Sequence, residues 1–377
     1  MVRVAVVGIG KMGLSHLSMV RAHPGVEVVA VCDSVGYVLD VLSKYTGLST
    51  FTDYQKMLDS VQVDAVLIAT PTSSHVALVR QALERGLHVF CEKPLTLSAE
   101  ESVELAGIAR ERQLVTQVGY HNRFVGAFQE VKRLIDDRTI GEVSHVLAES
   151  YGPVVLRSKG STWRSKRETG GGCLYDYAAH PLDLLMWYFG EPLSVGGTVL
   201  GSIFSTETDD EVYSTLQYAD RVSAQLSVNW SDESLRKMTT KVTIWGSKGK
   251  IVADRQECQV YLRDTAQPPE GYSEGWNVRY TTELTQPVWF YLRGEEYSAQ
   301  LDYFIHSIEQ AVEGADAPRE NDFTSAAATD RVIEMLTVSA ASGNTQTAAV
   351  TAATAAPAAL AKRQPLFARR AFIPPAR

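Results

Sequence analysis

The sequence predicts an α/β chain: a helix-covered parallel sheet over residues 1–121, then a second domain over 122–340 built on a large, mainly antiparallel open sheet. Three observations predict it. Val4–Val7 is a short apolar run that ends in Gly8-Ile9-Gly10-Lys11-Met12-Gly13, which reads as strand, tight turn and helix start. Apolar runs then alternate with helical patterns as far as Val118, as expected of parallel strands buried on both faces. Beyond Gly190 the pattern is mostly strands joined by short connections, as in an antiparallel sheet.

The elements follow in order. Leu14–Ala22 reads as a helix broken by Pro24-Gly25, and Val26–Cys32 as a strand ending at Asp33. A short strand ends at Phe51, and Thr52–Gln55 reads as a capping box for a helix through Leu58. Strands are expected at Asp64–Ala69, Leu87–Cys91 and Leu114–Val118, with helices at Ser73–Arg85 and after Ser98. In the second domain, Phe124–Asp137 and Gly170–Phe189 read as helices and Val143–Glu149 as a strand. Six more strands are expected between Leu193 and Arg263, then helices at Tyr297–Val312 and Asp322–Ala340.

The first βαβ unit carries a chemical signature. Gly8 permits the turn, Gly10 lets a pyrophosphate approach bare backbone, and Gly13 lets the helix pack on the strand. Ile9, Lys11 and Met12 complete a turn whose helix N-terminus favours an anion. Asp33 ends the second strand, where a carboxylate takes the adenosine ribose hydroxyls. It repels the extra phosphate of NADP, and Ser34 supplies no cation to hold one, so NAD is favoured. Ligands bind such sheets at the carboxyl ends of the strands. Thr70-Pro71 and Glu92-Lys93-Pro94 should therefore line the same crevice.

Asp176, His180 and Asp183 are spaced to share one helix face, with Pro181 bending the helix after His180. An aspartate one turn before a histidine can orient the ring as a general base. Lys93 can hydrogen-bond a substrate hydroxyl and favour the developing alkoxide. Before this helix lies a basic loop with Arg157, Lys159, Arg164, Lys166 and Arg167 around Trp163. It reads as a sugar-stacking, anion-holding wall or as a solvated loop. Asn122 and Arg123 follow the sixth strand and should face the pocket.

These residues together are similar to the glucose–fructose oxidoreductase / inositol dehydrogenase family (Gfo/Idh/MocA). The resemblance rests on G-I-G-K-M-G, A-T-P-T-S-S-H at 69–75, C-E-K-P-L at 91–95 and G-G-G-C-L-Y-D-Y-A-A-H-P-L-D at 170–183, and runs from Met1 to about Ala340. It implies a Rossmann-type domain followed by an antiparallel-sheet domain that pairs sheet to sheet in homodimers or homotetramers. It also implies a catalytic set of Lys93, Asp176 and His180, with Thr70, Pro71, His75 and Glu92 along the cofactor. The implied reaction is hydride transfer between NAD and a secondary alcohol of a sugar, cyclitol or sugar derivative. Two alternatives stay open: transient oxidation with the cofactor retained, and a non-catalytic NAD-binding regulator. Tyr177-Ala178 stands where the family often has a glycine.

Bulk properties bound the rest. A chain of 377 residues suits two domains, and a net charge of −8 argues against a general nucleic-acid binder. No apolar run approaches the roughly 20 residues that span a bilayer. The N-terminus runs from strand into glycines without a secretory cleavage region. Cys32, Cys91, Cys173 and Cys258 form no C-x-x-C pair, so reduced thiols in a cytoplasmic protein are expected and a metal site is not. Residues 341–377 have no acidic residue and carry Lys362, Arg363, Arg369, Arg370 and Arg377. They read as a flexible tail or as an arm for an acidic neighbouring subunit.

Overall fold

A computed structural model describes residues 1–156, 163–314 and 320–348 of the chain. The six strands of the first sheet are β1 (Val2–Val7), β2 (Val26–Cys32), β3 (Ser49–Phe51), β4 (Ala65–Ile68), β5 (His88–Cys91) and β6 (Thr116–Val118). All pair in parallel, in the order β3-β2-β1-β4-β5-β6. The order reverses between β1 and β4, which opens a crevice at their carboxyl ends. The intervening helices are α1 (Lys11–Arg21), α2 (Gly36–Thr46), α3 (Tyr54–Ser60), α4 (His75–Glu84) and α5 (Ala99–Glu111). The cap of α3 is Asp53, not the expected Thr52. The Asp53 carboxylate accepts the Lys56 N–H at 2.8 Å, because the chain turns into the helix one residue later.

The second sheet has nine strands: β7 (Val143–Tyr151), β8 (Ser194–Gly201), β9 (Glu211–Gln217), β10 (Ser223–Asn229), β11 (Lys241–Gly246), β12 (Gly249–Ala253), β13 (Glu257–Leu262), β14 (Gly275–Tyr280) and β15 (Gln346–Thr347). Their order is β14-β13-β12-β11-β7-β10-β9-β8-β15, antiparallel except where β10 meets β7. Alternate residues such as Val146, Ala148, Val212, Leu216, Ile244 and Val260 are buried. That face packs under α6 (Gly126–Asp136) and α7 (Ala179–Phe189). After α8 (Thr281–Leu284), the helix α9 (Glu295–Val312) returns to the first sheet, where Leu301, Phe304 and Ile308 pack with Val4, Val6 and Phe90. The last helix, α10 (Phe323–Ser342), lies against α5, α7 and β8 and so ties the two sheets together.

Two strands were not expected. β14 follows a stretch rich in Pro, Gly and Glu that reads as loop, and β15 lies within the segment read as tail. Gln346 and Thr347 pair with Val195 and Ser194, so the ordered chain extends past Ala340. The basic remainder of the tail, with Lys362, Arg363, Arg369, Arg370 and Arg377, lies outside the described residues, as do Arg157 and Lys159. Among the described residues, no helix is long and apolar enough to cross a membrane. All four cysteines are buried and free.

Candidate active site

The glycine turn has the shape the sequence requires. Gly8 has φ +88°, and a Cβ there would meet Thr70 Cγ2 at 2.7 Å and the Ala69 backbone at 2.8 Å. A Cβ on Gly13 would fall 1.7 Å from Gly8 O, so α1 can approach the turn only with glycine at this position. Around Gly10, a Cβ would meet nothing within 4 Å, and no side chain caps α1. The N-terminus of α1 is thus without a side-chain cap and has room at Gly10, as an anion-binding helix start requires. The Asp33 carboxylate accepts the Ile9 N–H at 2.5 Å and the Val35 N–H at 2.8 Å, which knots the end of β2 to the turn. Ser34 is exposed beside it. This cradle fits the pyrophosphate and ribose of NAD.

Thr70 and Pro71 leave β4 at the same crevice, and Glu92-Lys93 leaves β5. Glu92 Oε1 lies 2.7 Å from Nε2 of the buried His16 on α1. Burial alone would raise the Glu92 carboxyl, but the His16 hydrogen bond and the charges of His16 and Lys93 bring it below the usual carboxylate range. Lys93 Nζ donates to the Asp176 backbone oxygen at 2.6 Å and to Asp176 Oδ1 at 2.9 Å. Arg164 Nε donates to Asp176 Oδ2 at 3.0 Å. The Asp176 carboxyl, pushed up by burial, is held below its ordinary value by Lys93 and Arg164. The His180 imidazole is buried, and burial together with the Lys93 and Arg255 charges pushes it well below the usual histidine value. It is neutral at neutral pH, as a base must be before it acts.

The helix carrying these groups begins differently from expectation. Gly170 and Gly172 have φ of +84° and +109° and form an irregular turn, not the first turn of a helix. A π-helical turn spans Leu174–Ala178 before α7 starts at Ala179. Such turns recur at functional sites. The wider turn takes Asp176 out of the row containing His180, and the Asp176 carboxylate bonds Lys93 and Arg164 instead. The orienting bond from Asp176 to His180 that their spacing led one to expect is therefore not what holds the ring. Asp209, which the motif reading passed over, seats this turn: its carboxylate accepts the Leu174 N–H at 2.6 Å and its backbone oxygen the Cys173 N–H at 2.8 Å.

Two expected ligand contacts, Arg123 and His75, are spent inside the fold, and a third residue, Asn122, is buried. Arg123 is buried and donates to both Asp183 oxygens, at 2.9 and 2.5 Å, and to Ser325 Oγ at 2.7 Å, so its guanidinium binds α7 and α10 instead of a substrate. His75 is buried with Nδ1 3.0 Å from Pro94 O and 3.1 Å from Leu95 O, and Nε2 3.0 Å from Thr70 O. Its ring braces the turn after Lys93 and does not lie open to a cofactor. Asn122 is also buried, and its amide has no hydrogen-bond partner among the described residues. The Trp163 side chain lies outside the described residues. His16, His121 and Arg255 were not singled out from the sequence. His121 adjoins the noted Asn122-Arg123 pair, but nothing local marks it.

Known proteins are similar to this chain in sequence and in fold. The family model for the GFO_IDH_MocA oxidoreductases, described as an NAD-binding Rossmann fold, matches residues 2–120. The model of the GFO/IDH/MocA C-terminal domain matches residues 128–252. The chain is 28% identical over 334 residues to the inositol 2-dehydrogenase of Rhizobium meliloti, covering 85% of this chain and 92% of that one. It is 29% identical over 269 residues to the 2,7-anhydro-N-acetylneuraminate hydratase of Mediterraneibacter gnavus, 67% of each chain. A solved levoglucosan dehydrogenase in complex with NADH shares the fold with a TM-score of 0.80 at 21% identity, over 91% of this chain and 98% of that one.

Proposed function

Since the chain belongs to the GFO_IDH_MocA family of NAD-binding oxidoreductases, we propose that it oxidises a secondary ring alcohol of a sugar, cyclitol or sugar derivative, with Lys93, Asp176 and His180 as the reacting set. The observation that carries this reading is the 2.9 Å pairing of Lys93, from the end of β5, with Asp176 of the π turn, near enough to His180 of α7 for the Lys93 charge to act on its ring. In this reading, the nicotinamide end of a cofactor held by the glycine cradle would reach these polar groups across the carboxyl ends of β4 and β5. NAD, held by Gly8–Gly13, Asp33 and the carboxyl ends of β4 and β5, supplies the hydride acceptor. Neutral His180 takes the hydroxyl proton as the C–H bond breaks and becomes imidazolium. The Lys93 ammonium hydrogen-bonds the reacting oxygen and stabilises its developing negative charge, as a preorganised donor does in a largely dry site. Asp176, already fixed by Lys93 and Arg164, accepts from a neighbouring hydroxyl of the ring. Arg164, partly exposed beside Asp176, borders the substrate space.

The test is a screen of cyclitols, free sugars, glycosides and sugar nucleotides followed by NADH absorbance, paired with His180→Ala. The variant should lower turnover by about 10²- to 10⁴-fold with NAD affinity little changed. Turnover within about threefold of wild type would remove His180 from the proton-transfer step.

A second reading, transient oxidation with the cofactor retained, is favoured by the hydratase among the relatives. It predicts that NAD stays bound through purification and that no NADH accumulates while substrate is consumed. The proposal also includes a cytoplasmic location, consistent with four buried free thiols. Self-association through the uncovered face of the second sheet completes it.

A further inference from the structure

A base is normally held by a hydrogen bond to its second ring nitrogen, which fixes both tautomer and tilt. The His180 ring lacks that support. Of the two aspartates near it on the same segment, Asp176 is committed to Lys93 and Arg164, and Asp183 to Arg123. His180 Nδ1 is buried with no hydrogen-bond partner among the described residues. Two aromatic rings lie beside the imidazole. His121 packs against it with centroids 4.9 Å apart at 66°, and Tyr120 lies 6.5 Å away at 90°.

His121 is itself stacked on Tyr297, with centroids 4.5 Å apart and planes 19° from parallel. Tyr297 Oη lies 3.5 Å from His121 Nε2, at the limit of a hydrogen bond. The Arg293 guanidinium also lies over the Tyr297 ring, 5.4 Å from its centroid. Arg293 has φ +71°, a left-handed conformation that a non-glycine residue adopts only where its surroundings enforce it. A continuous column therefore runs from Arg293 through Tyr297 and His121 to His180, joining the start of α9 to α7.

We propose that His121 and Tyr297 are positioning residues for His180: ring packing, and not a carboxylate, sets the tilt of the catalytic imidazole. The proposal rests on the reading of His180 as the base. It gives the missing carboxylate a chemical consequence. With no anion against Nδ1, and with Lys93 and Arg255 nearby, the imidazolium is not favoured at rest, so His180 stays unprotonated until substrate offers its proton. Edge-to-face and stacked rings have defined geometries, so a column of them can hold an angle without a hydrogen bond.

The experiment compares His121→Phe, which keeps a ring and removes both nitrogens, with His121→Ala, which removes the ring. NAD binding and thermal melting serve as controls for folding. His121→Phe should keep kcat within about threefold of wild type, while His121→Ala should lose about 10- to 100-fold with substrate KM little changed, the cost of a misplaced catalytic group. The acid limb of kcat/KM should move to higher pH in His121→Ala as water reaches His180. Tyr297→Leu should lower kcat in the same sense, and Tyr297→Phe should not. Wild-type kcat in His121→Ala overturns the proposal. Equal losses in His121→Phe and His121→Ala also overturn it, since a nitrogen and not the ring would then be required. Loss of the His180→Ala effect would instead overturn the underlying assignment of the base.

Discussion

Asp33 has two jobs that pull on the same carboxylate. Its oxygens accept N–H groups from Ile9 and Val35, so it shapes the glycine turn besides being the acceptor proposed for the ribose. Asp33→Ser should therefore weaken NAD binding and narrow the preference for NAD over NADP, because both the ribose acceptor and the repulsion of a 2′-phosphate are lost. Paired binding titrations with the two cofactors measure it. A wild-type protein that prefers NADP would refute the argument. His75 teaches the opposite lesson. Its motif position suggested the cofactor, yet three backbone carbonyls surround its two nitrogens, and its work is to brace the Lys93 turn.

At the scale of elements, a buried carboxyl joins α10 to the chain after Lys93. Asp330 Oδ2 accepts from Ser102 Oγ at 2.7 Å and from Thr96 N at 3.4 Å, while Oδ1 has no partner among the described residues. Burial, only partly offset by the Ser102 hydrogen bond, pushes this carboxyl from 3.8 up to about 7. A raised carboxyl keeps its proton in the fold where the unfolded chain has lost it. Its contribution to stability is therefore intact below the unfolded value and disappears as pH rises through about 7. Asp330→Asn, which keeps an acceptor for Ser102 and Thr96, should raise the melting temperature more at pH 8 than at pH 5, where the loss is only partly developed. An equal shift at both pH values would show that the carboxyl does not titrate in this range. The segment entering α7 follows a similar logic: Asp209, Lys93 and Arg164 fix where the π turn lies, and that turn decides which way Asp176 faces.

At the scale of the molecule, the described residues cover the nine-stranded sheet on one face only. The other presents Trp276, Val278, Tyr280 and Tyr261, each more than a third exposed, along the end of the sheet at β13 and β14. Toward the middle, Leu147, Tyr151 and Tyr213 line a shallow depression with Glu149 and Gln225. A broad face with this many aromatic side chains is suited to a second copy of the same surface. Light scattering should report at least two chains per particle, and the double variant Trp276→Glu, Val278→Lys should shift the protein toward single chains. A wild-type protein that is a single chain at micromolar concentration would count against this surface as an interface.

The parallel sheet was legible because its central strands are largely buried, so β1, β2, β4 and β5 appear in the sequence as mostly apolar runs followed by turn residues. Gly8, Gly10, Gly13 and Asp33 were legible too, because their spacing is local and backbone geometry dictates it. Lys93, Asp176 and His180 could be named from their motifs. Their partners could not, because hydrogen bonds between residues far apart in the chain leave no periodic trace. That Arg123 is consumed by Asp183, that Asp176 turns to Lys93 and away from His180, and that His121 and Tyr297 stack beside the imidazole were all decided by packing. Sequence alone determined which backbone could cradle a dinucleotide and which ionisable groups were available; only the tertiary structure decided which charges remain unspent, because a buried group must find its partner wherever the fold brings one.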